Sequence, residues 1–374
     1  MTTPIQKISL EDALDGKNVS LQTGSLARQA GGSVTIHLGG TAILCAATAS
    51  QYPKAVSFIP LTSDYRERTY AAGRIPGGFF KRENRPREKE VLSSRLVDRP
   101  LRPLFPEGWN FDTMVQSIVV SCDTDNDPDV LAITGASAAL MLSDIPWNGP
   151  VSAVRIARID GNLVLFPTWE ERERAELELI VAGKKGALLM VEGAANEATE
   201  EVFCAALERA QSAIDSLCDL QLQIVEASRV GGRNVAKRPM PESSRPPAVI
   251  DYVAQKTTEP VVAALRSKLD KAGLDLRIRA LKEEVTAKLL ADAATREDLK
   301  GGEIHVGGAI EDILYTESRS LTLKEGQRPD GRRLDEVRPI SISLPVFPRL
   351  HGSALFTRGQ TQALATVTLG CRRA

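Results

Sequence analysis

What the chain lacks narrows it first. There is no CxxC pair: the five cysteines, Cys45, Cys122, Cys204, Cys218 and Cys371, are scattered singly and odd in number. That usage argues against a zinc ribbon or a disulfide framework and for buried, reduced thiols. There is no long apolar run either. The opening MTTPIQKISLEDAL has no signal-like core and nothing later approaches a membrane span, so a cytoplasmic protein with no membrane partner is expected. Net charge is nearly absent: 47 Lys and Arg against 48 Asp and Glu leave −1. Any surface for a polyanion must therefore be a local patch.

What is there suits a globular protein of two or more domains: 374 residues, 43% hydrophobic and 25% charged. Residues 18–50 alternate like short antiparallel strands, punctuated by Gly31-Gly32 and Gly39-Gly40. His37 falls on the second of them and reads as a sheet or core residue, since no partner Cys, Ser or acid is recognisable nearby. MVQSIVVSCDTD is a strand, and DPDVLAITGASAALMLSDIP is a helix of small residues starting near Asp127 to Asp129. Within it, Gly135-Ala136-Ser137 could cradle a phosphate or serve close helix–sheet packing. A hairpin around Asp160-Gly161 follows, then a second strand pair in AELELIVAGKKGALLMVEG. A helix from Thr199 to Ala227 carries Val202, Phe203, Leu207, Ala210, Ile214 and Leu217 at helical spacing. This predicts an α+β domain over 1–228, of βαβα arrangement with helices on one side of mixed sheets. Residues 229–248, rich in Pro, Gly and Arg, read as a linker. Residues 249–322 lose the strand signal and read as a small all-helical domain of short amphipathic helices.

The stretch most suggestive of chemistry runs from Pro76 to Gly108, PGGFFKRENRPREKEVLSSRLVDRPLRPLFPEG. Gly77-Gly78 can present Phe79 and Phe80 on a loop, beside Lys81, Arg82 and Arg85. Pro86 suits the first turn of a helix and Pro100 its end, with Val91, Leu92 and Leu96 facing inward. Arg95 and Arg99 then share a face one turn apart, and Arg102 lies just past the end. Bases stacked on the two rings, at about 1–3 kcal/mol each, with guanidinium groups on phosphates, would hold a single strand. The competing reading is a solvated amphipathic helix after a loop whose phenylalanines are core, its arginines paired with Glu88, Glu90 or Asp98.

The string YAAGRIPGGFFKRENRPREKEVLSSRLVDRPLRPLFPEGW, Tyr70 to Trp109, closely resembles the signature of the polynucleotide phosphorylase (polyribonucleotide nucleotidyltransferase) family in its first RNase PH-like domain. It departs at Asn84, usually glycine, at Arg87, usually serine, and at Trp109. The resemblance implies an RNase PH-like (ribosomal protein S5 domain 2-like) fold, a helical domain, and a second RNase PH-like domain beginning near residue 323. EGQRPDGRRLDEVRPI, from Glu325, resembles the opening hallmark of such a domain. The chain supports this itself: displaced by 320 positions, GSVTIHLGGTAILCAAT (32–48) falls on GSALFTRGQTQALATVT (352–368), with six identities.

The family reaction is 3′-to-5′ phosphorolysis of RNA, reversible, releasing nucleoside diphosphates, with inorganic phosphate as co-substrate and Mg2+ as cofactor. The resemblance implies RNA gripping by Phe79, Phe80, Lys81 and Arg82 at the mouth of a ring channel, a homotrimer, and partners in an RNA-degradation complex. Arg85, Arg95, Arg99 and Arg102 are further phosphate-contact candidates. The family's serine phosphate loop, its arginines and its metal-holding aspartates belong later in the second copy. No catalytic or metal residue is therefore assigned, and these 374 residues alone are expected to be inactive. The alternative is a non-catalytic RNA-binding ring subunit of exosome type.

Overall fold

A computed structural model describes residues 8–54, 56, 58–77, 79, 81–83, 85–232, 235–239 and 245–370. Two compact units divide between Ser243 and Ser244.

The first unit opens with antiparallel strands β1 (Ile8–Leu14), β2 (Lys17–Thr23), β3 (Gly32–Leu38) and β4 (Thr41–Pro53). Then come β5 (Leu61–Glu67), helix α1 (Glu88–Leu101) and β6 (Phe111–Ser121). These six strands form one mixed sheet in the order β1-β2-β3-β4-β6-β5, whose only parallel pair, β5 and β6, is the pair that α1 connects. Helix α2 (Pro128–Leu142) leads to β7 (Ser152–Ile159), β8 (Asn162–Leu165), the short α3 (Trp169–Glu173), β9 (Leu177–Lys184) and β10 (Ala187–Ala195). These strands make an antiparallel sheet in the order β10-β9-β7-β8. Helix α4 (Glu200–Val230) closes the unit. The mixed α+β architecture is the one the sequence pattern predicts.

Helix α2 explains the packing. Every residue of it but Met141 is buried, as befits a helix that is apolar all round and touches both sheets. Its small residues set the approach. A Cβ on Gly135 would lie 2.6 Å from Cys45 Sγ and 2.9 Å from Ile36, so only glycine lets α2 sit this close to β3 and β4. Ser137 is spent on the same packing, donating to Gln221 (2.7 Å) and accepting from the Val151 amide (2.9 Å). Of the two readings of Gly135-Ala136-Ser137, helix–sheet packing is the one realised. Cys45 and Cys218 are buried free thiols, and burial pushes Cys45 up to about 12. Cys204 departs from the expectation and is exposed on α4. Cys371 lies outside the described residues.

Helix α1 corrects two expectations. It passes through Pro100 and ends at Leu101, because a proline in the last turn forfeits one bond there without blocking a long continuation. Trp147 Nε1 then satisfies the Leu101 carbonyl at 3.1 Å. Its inward face is Glu90, Ser93, Leu96, Val97, Pro100 and Leu101, whereas Val91 and Leu92 are exposed. The reason is the sheet edge. Strand β5 is terminal, so its outer amides need acceptors. Ser94 Oγ accepts from Tyr65 N at 2.9 Å, and Glu90 accepts from Glu67 N at 2.9 Å while reaching back to Arg87 N at 2.6 Å. Polar residues therefore take the face that a purely apolar pattern assigns to valine and leucine.

The expected linker is partly tied down. Helix α4 extends through Val230, and residues 235–239 are bonded to the first unit. Lys237 donates to the carbonyls of Leu140, Met141 and Ser143 (2.7–3.1 Å), capping the C-terminus of α2. Arg238 holds Asp144 at 2.5 Å and the Ser50 carbonyl at 2.6 Å.

The second unit begins with α5 (Pro247–Arg266), α6 (Lys271–Asp292) and α7 (Glu303–Glu325). They are 20, 22 and 23 residues long, not short, and pack around Val253, Val261, Leu265, Val285, Leu289 and Ile310. The turn at Arg328–Gly331 forms as its sequence predicts, with Gly331 N bonded to Arg328 O at 2.9 Å. A three-stranded antiparallel sheet follows: β11 (Ile340–Ser343), β12 (Gly352–Arg358) and β13 (Thr361–Val367).

The repeat seen in sequence recurs as register. Gly32 faces Ala47 and Leu38 faces Thr41 in one hairpin; Gly352 faces Val367 and Arg358 faces Thr361 in the other. Gly39 and Gly359 both take positive φ, 57° and 61°, at the same turn position. The structure extends the repeat by one strand. Val19-Ser20-Leu21 pairs with β3 as Ile340-Ser341-Ile342 pairs with β12, at a displacement of 321 because the connecting loop is one residue shorter. That change of register hid the third strand from an ungapped comparison.

Candidate nucleic-acid interface

The loop between β5 and α1 starts from a single 3₁₀ turn, Thr69–Ala72, which Gly73 ends with φ of +65°. Glu83 ties the far side of the loop back to this turn, accepting from Thr69 N at 2.8 Å and from the Thr69 hydroxyl. Arg68 lies 3.7 Å from its other oxygen. Between these points the chain projects outward: Ile75 is 80% and Phe79 93% exposed. Nothing lies within 4 Å of where a Cβ on Gly77 would be. Lys81 has φ of +51°, a left-handed conformation that a side chain adopts at a cost of about 1–2 kcal/mol.

The eight residues singled out from the sequence separate into groups. Phe79, Lys81, Arg82, Arg85 and Arg95 are exposed. Lys81, Arg82, Arg85 and Arg95 have no ion pair among the described residues. Arg99 is exposed but pairs with Glu192 of β10. Both side chains are about half in solvent, so that pair is weak and exchangeable. Arg102 is committed to the fold. It forks onto Asp98 (2.6 and 2.8 Å) and donates to the carbonyls of Ile59 and Leu61, both at 3.0 Å. Phe80 lies outside the described residues.

A second charged group escaped the sequence reading. At the N-terminus of α2, Arg155 is 5% exposed and donates from one terminal nitrogen to both Asp129 carboxylate oxygens, at 2.8 and 2.9 Å. It also contacts Asp127 at 3.3 Å and Glu178. Arg172 bonds Asp127 and Glu178, each at 2.9 Å, and Lys89 bridges Glu67 (2.8 Å) and Asp127 (3.6 Å). Lys89 and Arg172 both sit over the Trp169 ring, 5.3 and 4.3 Å from its centroid. Burial works against the Arg155 charge, but Asp129 and Asp127 outweigh it and raise its pKa. Four carboxylates here face three cations, so most of the charge is compensated within the group and a formal excess of one negative charge remains. The chain's own Asp127 and Asp129 occupy the helix end where an external anion would otherwise be favoured. The Asp-Pro-Asp spelling at residues 127–129 was the available signal; its partners come from distant strands.

Among the described residues, no group of three His, Cys, Asp or Glu is placed to hold a metal ion, so no metal-dependent step is derived from these side chains. Among the described residues, no helix is long and apolar enough to cross a membrane.

Two family models match this chain: "3' exoribonuclease family, domain 1" over residues 15–146 and "3' exoribonuclease family, domain 2" over 149–213. The two matches meet at the junction between the mixed sheet with α2 and the sheet that starts at β7. The chain belongs to the 3′ exoribonuclease family. Within it, the chain is similar to proteins named polyribonucleotide nucleotidyltransferase. The Persephonella marina protein is 42% identical over 362 residues, 96% of this chain and 49% of the relative. The one from Nitratidesulfovibrio vulgaris is 46% identical over 359 residues, 95% of this chain and 46% of the relative. That from Elusimicrobium minutum is 43% identical over 373 residues, 98% of this chain and 51% of the relative. The chain thus spans about half the length of the curated relatives it matches. Among solved structures, rice Rrp46 aligns with 60% of this chain and 97% of its own at TM-score 0.45 and 17% identity, a distant likeness. The resemblance carried by residues 70–109 is borne out by the family models and the relatives.

Proposed function

We propose that this chain is the RNA-guiding part of a polyribonucleotide nucleotidyltransferase, a phosphorolytic 3′-to-5′ exoribonuclease. The observation that carries the reading is the loop of residues 74–87. It holds an aromatic ring 93% in solvent beside three exposed cations, Lys81, Arg82 and Arg85, that have no ion pair among the described residues. An exposed ring offers a stacking surface to any base, and guanidinium groups without an ion pair can donate to phosphate oxygens without first breaking an internal salt bridge. Arg95 continues the basic track along α1. Arg99 joins it when RNA competes with Glu192, while Arg102 serves as a structural clamp. Phe80 is assigned a second stacking ring on the strength of the family resemblance.

In the reaction assigned to the whole protein, an oxygen of inorganic phosphate attacks the terminal phosphodiester phosphorus. The 3′ oxygen of the shortened RNA leaves, and the terminal nucleotide departs as a nucleoside diphosphate. Magnesium and inorganic phosphate are the cofactor and co-substrate of that proposal, and no residue described here is assigned to either. Residues 1–228 form the first RNase PH-like domain, 229–248 a connector, 249–322 a helical domain and 323–374 the beginning of a second RNase PH-like domain. The matching hairpin registers support that last assignment. A cytoplasmic homotrimer belongs to the same reading.

The test is RNA binding by the 374-residue chain at low and moderate salt, with phosphate-dependent ADP release from poly(A) and Mg2+ measured alongside. Binding that salt and Phe79→Ala both weaken is the expected result. Absence of binding at low salt overturns the guiding role. ADP release would place the phosphorolytic chemistry within these residues and reassign the catalytic groups.

A further inference from the structure

Three features of the loop point to one residue. Thr69 and Glu83 are fourteen positions apart in sequence, yet joined by two hydrogen bonds to a single carboxylate oxygen. The exposed ring and two of the loop's exposed cations lie between them, from Tyr70, 57% in solvent, through Ile75 and Phe79 to Arg82, while Arg85 follows just beyond Glu83. Lys81, two residues before Glu83, is held in a left-handed conformation that an unrestrained lysine would leave. A strained residue persists only where its surroundings over-determine it. The Glu83–Thr69 tie is a restraint only two residues away from it in the chain.

We propose that Glu83 is a positioning residue: it closes the base of the loop, so that Phe79, Lys81 and Arg82 meet RNA already ordered. This rests on the RNA-guiding reading above. Ordering a flexible segment at the moment of binding costs affinity, and a tie made beforehand removes part of that cost. The cost of closing a loop falls on the free protein, which holds the tie whether or not RNA is present.

The proposal runs against simple electrostatics, and this makes it testable. Glu83 is an acid among cations that would hold phosphates. By charge alone, removing it should tighten RNA binding, and Glu83→Ala and Glu83→Gln should tighten it equally. Positioning predicts a split. The glutamine amide oxygen still accepts from Thr69 N and its hydroxyl, whereas alanine accepts nothing. Glu83→Ala is therefore expected to weaken binding at least about fivefold, the lower end of one lost base stack. Glu83→Gln is expected to bind as well as the parent chain or better.

The experiment uses the 374-residue chain and its Glu83→Ala, Glu83→Gln and Phe79→Ala variants. RNA affinity is read by titration with a fluorescent oligoadenylate at fixed salt. Loop closure is read without RNA, from the rate of tryptic cleavage after Lys81 or Arg82. Faster cleavage and weaker binding in Glu83→Ala, with near-parental values in Glu83→Gln, support the proposal. Cleavage unchanged in Glu83→Ala overturns it, as does equal tightening in both variants. Faster cleavage with undiminished binding, in a protein that Phe79→Ala does weaken, overturns the positioning role and leaves the RNA-guiding reading standing. Parent protein that binds no RNA overturns both, while cleavage still decides whether Glu83 closes the loop. A thermal melt of Glu83→Ala separates global unfolding from local opening, and the Glu83→Gln arm holds if alanine fails to fold.

Discussion

Gly32 of β3 and Ala139 of α2 approach closely: a Cβ on Gly32 would lie 2.1 Å from the Ala139 carbonyl oxygen. The obstruction is backbone, which cannot swing aside as a side chain can. Gly352, its counterpart in the second hairpin, has only the Val367 side chain near, at 3.3 Å. Two glycines made equivalent by sequence and register therefore differ in what they do.

Gly32→Ala should destabilise the first unit by about 1–3 kcal/mol or more, as overpacking against a fixed backbone does. Gly352→Ala should change stability by less than about 1 kcal/mol, because a methyl there meets only a movable side chain. Trp109, Trp147 and Trp169 all lie in the first unit, so tryptophan fluorescence in a urea titration reads the first variant. Circular dichroism reads the second. Equal losses would mean that the second hairpin is packed as tightly as the first.

Arg155 is the hub of the buried charges. Arg155→Met should cost about 3–5 kcal/mol, since it strands Asp127, Asp129 and Glu178 with too little positive charge in a buried setting. The midpoint of urea unfolding measures it. A loss near zero would show that water or Arg172 compensates the carboxylates.

Asp123 gives a pH signature. Burial opposes its charge, but hydrogen bonds from Asn126, from the Asp125 amide and from the Gly40 amide outweigh it and lower its pKa from 3.8 to about 2. A carboxylate depressed in the folded state stabilises above its unfolded value. Its contribution is therefore present above pH 3.8 and drains away as pH falls towards 2. The slope of unfolding stability between those values should be shallower in Asp123→Asn than in the parent. An unchanged slope would remove Asp123 from the acid response.

The arginines of the α1 region should separate by what they already hold. Arg82→Ala and Arg95→Ala should weaken RNA binding and flatten its dependence on salt, with little change in melting temperature. Arg102→Ala should lower the melting temperature first, because the Ile59 and Leu61 carbonyls and Asp98 lose their donor. Paired binding isotherms and thermal melts on the three variants make the comparison.

How much could be read in advance varied with the range of the interactions. The hairpins, the glycine-marked repeat and the aromatic-basic loop were legible because their causes are local: alternation, turn residues and contiguous spelling. The inward role of Glu90 and Ser94 on α1 was not, since they answer unpaired amides on an edge strand whose position only the sheet order defines. Nor was the Arg155 cluster, whose seven charged members come from α1, β5, α2, β7, α3, β9 and the turn before α2.

By itself the sequence determined that this chain is α+β, that it carries a family signature from Tyr70 to Trp109, and that one stretch of strands recurs 320 positions on. Each follows from residue types at fixed spacing, which survive without knowledge of neighbours. Tertiary structure alone decided which cations are spent and which are available. Arg102 and Arg82 look alike in a string of basic residues. Only folding brings Asp98 and two carbonyls around the first and leaves the second in solvent, because a charge's availability depends on what lies within a few ångströms of it and not on its place in the chain.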